Sequence, residues 1–587
     1  MAVRNHPHPP LRRELLAAER GGIHKKWTGK LPVALIYPSD YAVGMANLGM
    51  QLIYHLLNQD AALVAERFFV DARSAAPPRS LESGRPLTDF PLIMACLSFE
   101  QDLPALVALL VAAGVEPLAA KRPEEISAEA PLLIVGGVAL SVNPEIVAPF
   151  ADLLVIGEAE AISAELLAAL RNMWEHPPRR RLEFLTAVAR ALPGCYPPTL
   201  YEVVYEHGRY LRHQALAEGL PARIRRAFPE ALTSAGFSRL LTPNCEFSDL
   251  FLTEMGRGCS RACRFCAAGF VYRPPRRWTT AAVLAALSER PQGIGRVGLL
   301  GMEMTAPETL EAVTTALSDQ HCALSFSSLR ADALNDSLLT LLARSDLKSV
   351  AIAPDGCSER LRRVINKGLA EHDLLSAAER LVAAGIVRLK LYWMVGLPTE
   401  TDADILEAAC LIGKIKARID PLGRARGRVC QLVLSVNCFV PKPWTPFQYH
   451  IFGDSPDPKE AVAELRRRLR LFRQAVRECA NTSFHHDKPE NTLWQAVLAK
   501  GDRRLAPAIL DMAMRGRPWT QALKNHDLTT ADFTSQGSRA DTPLPWMILD
   551  HGLNDEYLRR DYERALAEKT TAPCQPATCR RCGVCHD

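Results

Sequence analysis

Short apolar runs and helical segments alternate through the middle of this 587-residue chain. The six apolar runs have the length and the aliphatic, β-branched composition of buried strands: 251–255, 296–301, 322–328, 348–354, 387–396 and 431–441. Parallel strands need long crossover connections, which are usually helices. The order therefore predicts a partial (β/α)6 barrel over residues 246–456, with its chemistry on the loops that follow the strands.

A second alternation precedes the barrel. Apolar runs at 31–38, 92–99, 132–137 and 153–158 alternate with segments of helical spacing. This α/β pattern predicts an N-terminal doubly wound parallel sheet over residues 25–170, after a tail at 1–24. The remaining segments are a connector with a hairpin turning at His207-Gly208 (171–245), a mixed, mainly helical region (457–570) and a cysteine-rich tail (571–587).

Composition narrows the class of protein. The chain is 48% hydrophobic with a net charge of +5, so its overall charge does not indicate nucleic-acid binding. The longest apolar run, 103–115, is too short to cross a bilayer, and the first 30 residues lack an apolar signal segment. We therefore expect a cytoplasmic protein with no membrane partner. In that reducing compartment, clustered cysteines favour metal binding over disulfides.

Seven of the 16 cysteines form two clusters, and the first cluster directly follows the first barrel strand. Cys259, Cys263 and Cys266 have three and then two residues between them. Structural zinc sites and closed iron–sulfur sites take four protein ligands. Three thiolates on a four-iron cubane would leave one iron open to the amine and carboxylate of a small molecule. A zinc site completed by a distant residue such as Cys245 is the alternative.

This triplet, with Phe265 before its third cysteine, resembles the signature of the radical S-adenosylmethionine (radical SAM) superfamily. Other stretches in the same order resemble the superfamily's nucleotide contacts. The resemblance implies that the following residues bind S-adenosylmethionine: Gly301 and Glu303 of a Gly-Met-Glu variant motif, Ser328, Arg330, and Gly396-Leu397-Pro398 near the adenine. The stretch 438–448 resembles the last barrel strand and its loop.

The resemblance implies an activity. A [4Fe-4S] cluster held by the triplet would reductively cleave S-adenosylmethionine and generate a 5′-deoxyadenosyl radical that attacks a substrate which the sequence does not specify. Such an enzyme needs an electron donor, either a reductase or a flavodoxin or ferredoxin. The expected protein is a radical SAM enzyme.

The first domain is similar to the cobalamin-binding domain that precedes the barrel in one subclass of the superfamily. The marks that carry the similarity are Gly136-Gly137, Pro144-Glu145 and Gly157-Glu158-Ala159-Glu160. Subclass members with a lower axial histidine use Asp-x-His-x-x-Gly after the first strand, whereas this chain has SDYAVGMANLG at 39–49. Cobalamin, and cobalamin-dependent methyl transfer, therefore stay open at this stage.

The second cluster is the tail set Cys574, Cys579, Cys582 and Cys585, with four, two and two residues between them. Four thiolates can close a site completely. The spacing suits a second iron–sulfur cluster, and zinc fits the same ligand count. His586 is a less favoured ligand.

Two other functions compete with this interpretation. An RNA-modifying methylthiotransferase of the superfamily would carry a separate N-terminal domain with three cysteines, but Cys96, Cys195 and Cys245 are too dispersed to resemble one. A non-catalytic iron–sulfur or zinc electron-transfer module would not need Glu303 or Arg330. One further motif, His485-His486-Asp487, fits either a polar loop or a set of ligands.

Overall fold

The computed structural model describes residues 11–71, 76–229, 234–301, 305–320, 322–326, 329–535 and 542–585.

The N-terminal domain is a six-stranded sheet in the order β2-β1-β3-β4-β5-β6, parallel except for β6. This is a doubly wound order: β2 lies on one side of β1, and the strands from β3 onward lie on the other side. The order of the strands therefore reverses between β1 and β3. The domain's elements are α1 Arg12–Ala18, β1 Leu31–Tyr37, α2 Tyr41–Gly44, α3 Leu48–Gln59, β2 Leu63–Phe69, β3 Leu92–Cys96, α4 Asp102–Ala112, β4 Leu132–Gly136, α5 Val138–Val142, β5 Leu153–Val155, α6 Ser163–Glu175, α7 Arg181–Ala191 and β6 Cys195–Tyr196.

The predicted parallel sheet is confirmed, but β2 was not anticipated. Its sequence, LVAERFF, carries Glu66 and Arg67 at its centre, which breaks an apolar pattern. Both side chains are nevertheless buried. Arg67 forms ion pairs with Glu19 and Glu82, each at 2.7 Å, and Glu66 accepts hydrogen bonds from Trp27 Nε1 at 2.7 Å and from the Ser83 hydroxyl at 2.5 Å. Tertiary partners therefore allow a charged segment to become an interior strand.

The connector contains the predicted hairpin. Its strands pair antiparallel, and His207 and Gly208 at the turn have φ values of 49° and 73°. Two successive positive φ values are typical of the turns that suit the twist of a two-residue hairpin. The connector strands are β7 Tyr201–Glu206, β8 Arg209–Ala215 and β9 Ile224–Arg225.

All six predicted barrel strands are present. With one further strand, β18, they form two parallel sheets, β10-β13-β14 and β15-β16-β17-β18, which a parallel bridge between Leu329 and Ile352 connects. The elements are β10 Phe251–Glu254, β11 Gly256–Arg257, α8 Ala268–Val271, β12 Arg276–Arg277, α9 Thr280–Ser288, β13 Arg296–Leu300, α10 Pro307–Asp319, β14 Ala323–Phe326, α11 Asp336–Arg344, β15 Ser349–Asp355, α12 Glu359–Val364, α13 Glu371–Ala383, β16 Arg388–Val395, α14 Asp402–Ala425, β17 Gln431–Cys438, α15 Pro458–Ala475 and β18 Thr482–His486.

β18 is a strand that the sequence interpretation missed. It pairs parallel to β17 and adds a seventh strand to the series. His485 and His486 lie on it, so the motif for which the sequence allows a polar loop or a set of ligands ends an edge strand instead of forming a loop. An edge strand is paired on one side only, so it can carry polar residues. A search for apolar runs therefore does not detect it.

The C-terminal region is mainly helical, as predicted, and packs against the N-terminal domain. One hydrophobic core contains strand residues such as Leu133 together with Val497, Ile509, Trp546 and Leu558. β9 pairs with β19 across this contact. The domain boundaries drawn from the sequence stay predictions, because this core is continuous across them. The region's elements are α16 Pro489–Lys500, α17 Ala506–Arg515, α18 Trp519–Asn525, α19 Ala531–Thr534, β19 Leu549–Asp550 and α20 Asp555–Leu566.

A fully buried carboxylate joins three of these regions. Glu145 accepts hydrogen bonds from the Tyr196 hydroxyl at 2.7 Å and from Arg503 Nε at 2.8 Å, and it lies 3.0 Å from His213 Nε2. Burial alone would raise the pKa of Glu145, but Arg503 and His213 outweigh it and lower this pKa to about 2. The network holds the first domain, the hairpin and the C-terminal region together.

We expect Glu145→Gln to cost about 3–5 kcal/mol in the free energy of unfolding at neutral pH, because Arg503 loses its buried counterion. The pKa of Glu145 in the folded protein lies below the unfolded value of about 4.3. Its contribution is therefore complete above that value and is lost as the pH falls toward 2. Urea unfolding of both proteins across this range should show the difference shrinking. Glu202→Gln, at an exposed position of the same hairpin, should change little; an unchanged Glu145→Gln variant would contradict the role.

Candidate functional site

The cysteine triplet lies on a tightly wound loop after β10 and β11. Gly258 and Ala262 both have positive φ, at 85° and 56°. A Cβ on Gly258 would lie 2.9 Å from the carbonyl oxygen of Tyr272, so this position requires glycine. The loop therefore sits at the carboxyl end of the first barrel strand, where the sequence placed it.

The thiols of the triplet influence one another. Burial raises the pKa of Cys263 to about 12, and Lys367, Cys266 and Cys259 are all close enough to modify it. Burial also raises the pKa of Cys266, while the backbone N–H groups of Gly269 and Ala268 donate to its sulfur and oppose the increase. Since metal-binding cysteines are thiolates, loading this loop would release protons.

Neither cysteine cluster is preassembled around an ion. Across the described ranges, no group of three or more His, Cys, Asp and Glu side chains is arranged so that it could hold a metal. The donor set still fits iron–sulfur ligation, because the thiols share one loop and the N–H of Arg261 donates to the sulfur of Cys259 at 3.5 Å. The assignment of the ligands therefore remains a proposal.

Arg264, between the second and third cysteines, anchors the loop. Its side chain is fully buried, and it binds both carboxylate oxygens of Asp561 at 3.1 and 3.2 Å. The same guanidinium donates to the carbonyl oxygens of Val364 at 2.7 Å and Lys569 at 2.6 Å. A desolvated arginine with this many partners fixes the path of the backbone that carries the cysteines.

Asn366 connects the same loop to the C-terminal tail. Its amide nitrogen donates to the carbonyl oxygens of Arg261 and Ala262, both at 3.2 Å, and its side-chain oxygen accepts the N–H of Thr571 at 2.8 Å. In addition, the N–H of Cys574 donates to Ser260 at 2.7 Å. The first tail cysteine is therefore hydrogen-bonded directly to the loop that carries the triplet.

A lysine–aspartate pair lies beside the triplet. Lys367 Nζ is 2.5 Å from Asp355, which ends β15 with a positive φ of 60°. Arg330 donates to the carbonyl oxygen of Lys367 at 3.1 Å and binds Asp332 through two nitrogens at 2.8 and 3.0 Å. Arg330 thus supports the segment that carries Lys367. The sequence motifs did not single out Lys367 or Asp355, since nothing but the fold brings them to the cysteines.

The other predicted nucleotide contacts lie at strand ends. Gly301 follows β13, and a Cβ there would lie 2.6 Å from the carbonyl oxygen of Gly256. Glu303 and Ser328 are outside the described residues. Gly396-Leu397-Pro398 follows β16 as a buried turn, in which the N–H of Gly396 donates to Glu400 at 3.0 Å. Burial raises the pKa of Glu400 to about 7 despite the nearby Arg468.

The four tail cysteines lie close together. Burial raises the pKa of Cys574 to about 11, and Cys579, Cys582 and Cys585 all contribute to the shift. Cys574 and Cys582 are buried, while Arg581 Nε donates to the sulfur of Cys579 at 3.3 Å. The carbonyl oxygen of Cys582 accepts the N–H of Asn554 at 2.8 Å, which fixes the tail to the start of α20.

The marks of the first domain contact protein rather than an open cavity. A Cβ on Gly137 would lie 2.2 Å from the oxygen of Leu97, and one on Gly157 would lie 2.1 Å from that of Ala227. Arg257, two residues before Cys259, donates to Glu158 at 2.6 Å and to Glu160 at 2.9 Å. The Gly-Glu-x-Glu mark therefore holds the start of the triplet loop against the first domain.

Two family models match the chain. The model described as "Radical SAM proteins, N-terminal" matches residues 49–198, and the model of the radical SAM superfamily matches residues 253–412. The second match spans the triplet loop, Lys367 and the turn at Gly396. The chain therefore belongs to the radical SAM superfamily and is a radical SAM enzyme, as the cysteine spacing indicated.

Individual relatives are more distant. An uncharacterized protein of Methanocaldococcus jannaschii, MJ0966, is 27% identical over 501 residues, which cover 84% of this chain and 94% of that one. Two solved structures are similar, each at 14% identity and a TM-score of 0.44. The first is the radical SAM methyltransferase TsrM of Kitasatospora setae with cobalamin and a [4Fe-4S] cluster bound, and the match covers 72% of this chain and 74% of TsrM. The second is the cobalamin-dependent radical enzyme OxsB, and the match covers 65% of this chain and 52% of OxsB.

We expect Asp561→Asn to loosen the tail, because Arg264 would lose its buried counterion at a cost of about 3 kcal/mol or more. Limited trypsin digestion of the purified protein, followed by mass spectrometry, should then cleave faster after Arg580 and Arg581. Glu563→Gln, at an exposed position on the same helix, is the control and should leave cleavage unchanged. Equal cleavage rates in all three proteins would show that this ion pair does not hold the tail.

Proposed function

We propose that Cys259, Cys263 and Cys266 hold a [4Fe-4S] cluster and that the adjoining strand ends bind S-adenosylmethionine for reductive cleavage. The observation that carries the proposal is that the three thiols share one anchored loop at the carboxyl end of the first barrel strand, with Cys263 near both Cys259 and Cys266. When bound, the cluster supplies the electron that breaks a carbon–sulfur bond of S-adenosylmethionine. Radical SAM enzymes also require a reductant and a substrate.

The lysine–aspartate pair extends the proposal to ligand charge. S-adenosylmethionine has an amino group, a carboxylate and a sulfonium, so its site needs groups of both signs. Lys367 and Asp355 supply them next to Cys263. We assign Lys367 to the carboxylate and Asp355 to a cationic group of the ligand. Gly301 and Glu303 are proposed for the amino group, Ser328 and Arg330 for the ribose and carboxylate region, and Gly396-Leu397-Pro398 for the adenine.

Anaerobically reconstituted protein reduced with dithionite should convert S-adenosylmethionine to 5′-deoxyadenosine and methionine. Cys259→Ala should abolish the product and the broad iron–sulfur absorbance of this site. The variant Lys367→Met should keep the iron but raise the KM for S-adenosylmethionine roughly tenfold, as expected for the loss of one charge-assisted contact. Chromatographic quantification of 5′-deoxyadenosine measures both effects.

Lys348→Met is the matched control, because Lys348 is an exposed lysine elsewhere on the barrel. If Cys259→Ala cleaves S-adenosylmethionine as fast as the parent, the triplet does not hold the cluster. An unchanged KM in Lys367→Met would remove the proposed carboxylate contact while leaving the cluster assignment intact.

The tail cysteines are proposed as a second metal site. Their mutual proximity and the hydrogen bond from Cys574 to Ser260 support an auxiliary iron–sulfur cluster near the first, with zinc as the alternative. Cys582→Ser should remove about four irons per chain if the site holds a cubane, or about one zinc otherwise, without loss of the first cluster. Elemental analysis with electron paramagnetic resonance distinguishes these results. Unchanged metal content would refute the site.

Cobalamin-dependent methyl transfer is the second candidate function. Open α/β sheets bind ligands where the strand order reverses, here between β1 and β3. At that edge the Tyr37 hydroxyl and the Asn47 amide both donate to Ser98 at 3.1 Å, and Lys442 of the barrel pairs with Glu100. Hydroxyl, amide and backbone groups would have to hold the corrin without a lower histidine. Cobalamin absorbance retained after desalting would support this candidate.

The electron donor is proposed to be a flavodoxin, a ferredoxin or a reductase. Within the residues that the structure covers, no helix is both long and apolar enough to cross a membrane. Cytoplasmic location stays a prediction from the sequence. Nucleic acid is not proposed as a substrate, so the methylthiotransferase interpretation remains the less favoured alternative, together with the non-catalytic electron-transfer module.

A further inference from the structure

A basic pocket lies between α15, the end of β18 and the start of α16. Its volume is about 670 Å3. His486 of the His485-His486-Asp487 motif is part of its lining, and the proposed radical chemistry gives that motif no role. The pocket is lined by Arg466, Leu469, Arg470, Arg473, His486, Lys488, Pro489 and Glu490.

Helical spacing explains how the arginines come together. Arg466, Arg470 and Arg473 are separated by four and three residues, which places them on one face of α15. Leu469 and Pro489 are buried and form an apolar floor, whereas the three arginines are exposed. The pocket therefore combines an apolar base with a cationic wall.

The positive charge of this wall is largely uncompensated. The lining has four permanently cationic side chains but only one carboxylate, Glu490, which pairs with Arg466. The guanidinium of Arg473 lies over the ring of Phe484 at 5.3 Å. Within the described part of the chain, neither Arg470 nor Lys488 forms an ion pair with an acidic side chain. Concentrating like charges in a concavity raises the local concentration of anions.

The N-terminus of α16 adds to the positive electrostatic potential in the pocket. Pro489 occupies the first turn of this 12-residue helix, and no side chain caps its N-terminus. The partial positive charge at a helix N-terminus favours an anion nearby. This contribution reinforces the arginine wall and does not replace it.

One side of the pocket lies at the carboxyl end of the edge strand β18, where the chain passes into α16. β18 runs parallel to β17, and His486 pairs with Val436 near the carboxyl ends of both strands. The triplet loop and the turn at Gly396 follow strands of the same parallel series.

We propose that this pocket binds an organic phosphate of nucleotide or sugar-phosphate size. Guanidinium groups match phosphate oxygens in two-pronged hydrogen bonds, and three of the cationic side chains are arginines. The volume falls in the range of about 300–1,000 Å3 that is typical of small-molecule sites. A concave site of this size suits a small molecule better than the flat surface of an acidic protein partner.

The test uses the full-length chain, with pyrophosphate and ADP as separate probes in isothermal titration calorimetry. The double variant Arg470→Ala/Arg473→Ala should bind both probes more weakly by roughly tenfold or more, since two charge-assisted contacts are lost. Arg477→Ala, an exposed arginine just beyond α15, should bind like the parent. Circular dichroism checks that each variant is folded.

Three results would overturn the proposal. The parent could bind neither probe, the double variant could bind both probes as tightly as the parent, or an RNA oligonucleotide could be the sole ligand whose binding the double variant loses. Repeating the titration in Cys259→Ala separates the two sites. Retained binding there supports a pocket that is independent of the S-adenosylmethionine site, and lost binding counts against it.

Discussion

The functional site depends on the ion pair and the hydrogen bonds that the buried guanidinium of Arg264 forms. A charge removed from water is tolerated in a protein only when counterions and acceptors surround it. Here Asp561 and carbonyl oxygens from two separate segments meet that requirement. Because Arg264 lies between two of the three cysteines, satisfying its charge also determines where their backbone runs. The need to pair the buried charge of Arg264 thus positions the triplet loop.

Ion pairs and hydrogen bonds also connect the triplet loop to the other domains. Arg264 and Asn366 attach the C-terminal tail to the loop, and Arg257 attaches the loop to Glu158 and Glu160 of the first domain. Glu145 in turn joins the first domain to the C-terminal region. The residues that suggested a cobalamin domain therefore also serve as contacts between domains, so their presence does not by itself imply a bound corrin.

Most strands could be predicted because burial on two faces leaves a continuous apolar run. The two main failures have the same physical origin. β2 contains Glu66, which accepts hydrogen bonds from Trp27 and Ser83, and Arg67, which pairs with Glu19 and Glu82. β18 is an edge strand with histidines at its end. Pattern reasoning assumes that polar residues face water, and it fails where tertiary partners or an unpaired edge accommodate them.

The sequence by itself determined the chemistry of the triplet: three thiols at a fixed spacing, after a strand, with a glycine where the loop requires positive φ. Those features involve residues that are close together in the chain, so the spacing of residues in the sequence reveals them. Only the tertiary structure decided that Lys367 and Asp355 stand beside the thiols, that Arg330 supports them, and that the tail cysteines dock on the same loop. These pairings join residues far apart in the chain, and the free energy that selects them arises from packing and charge compensation in the completed fold.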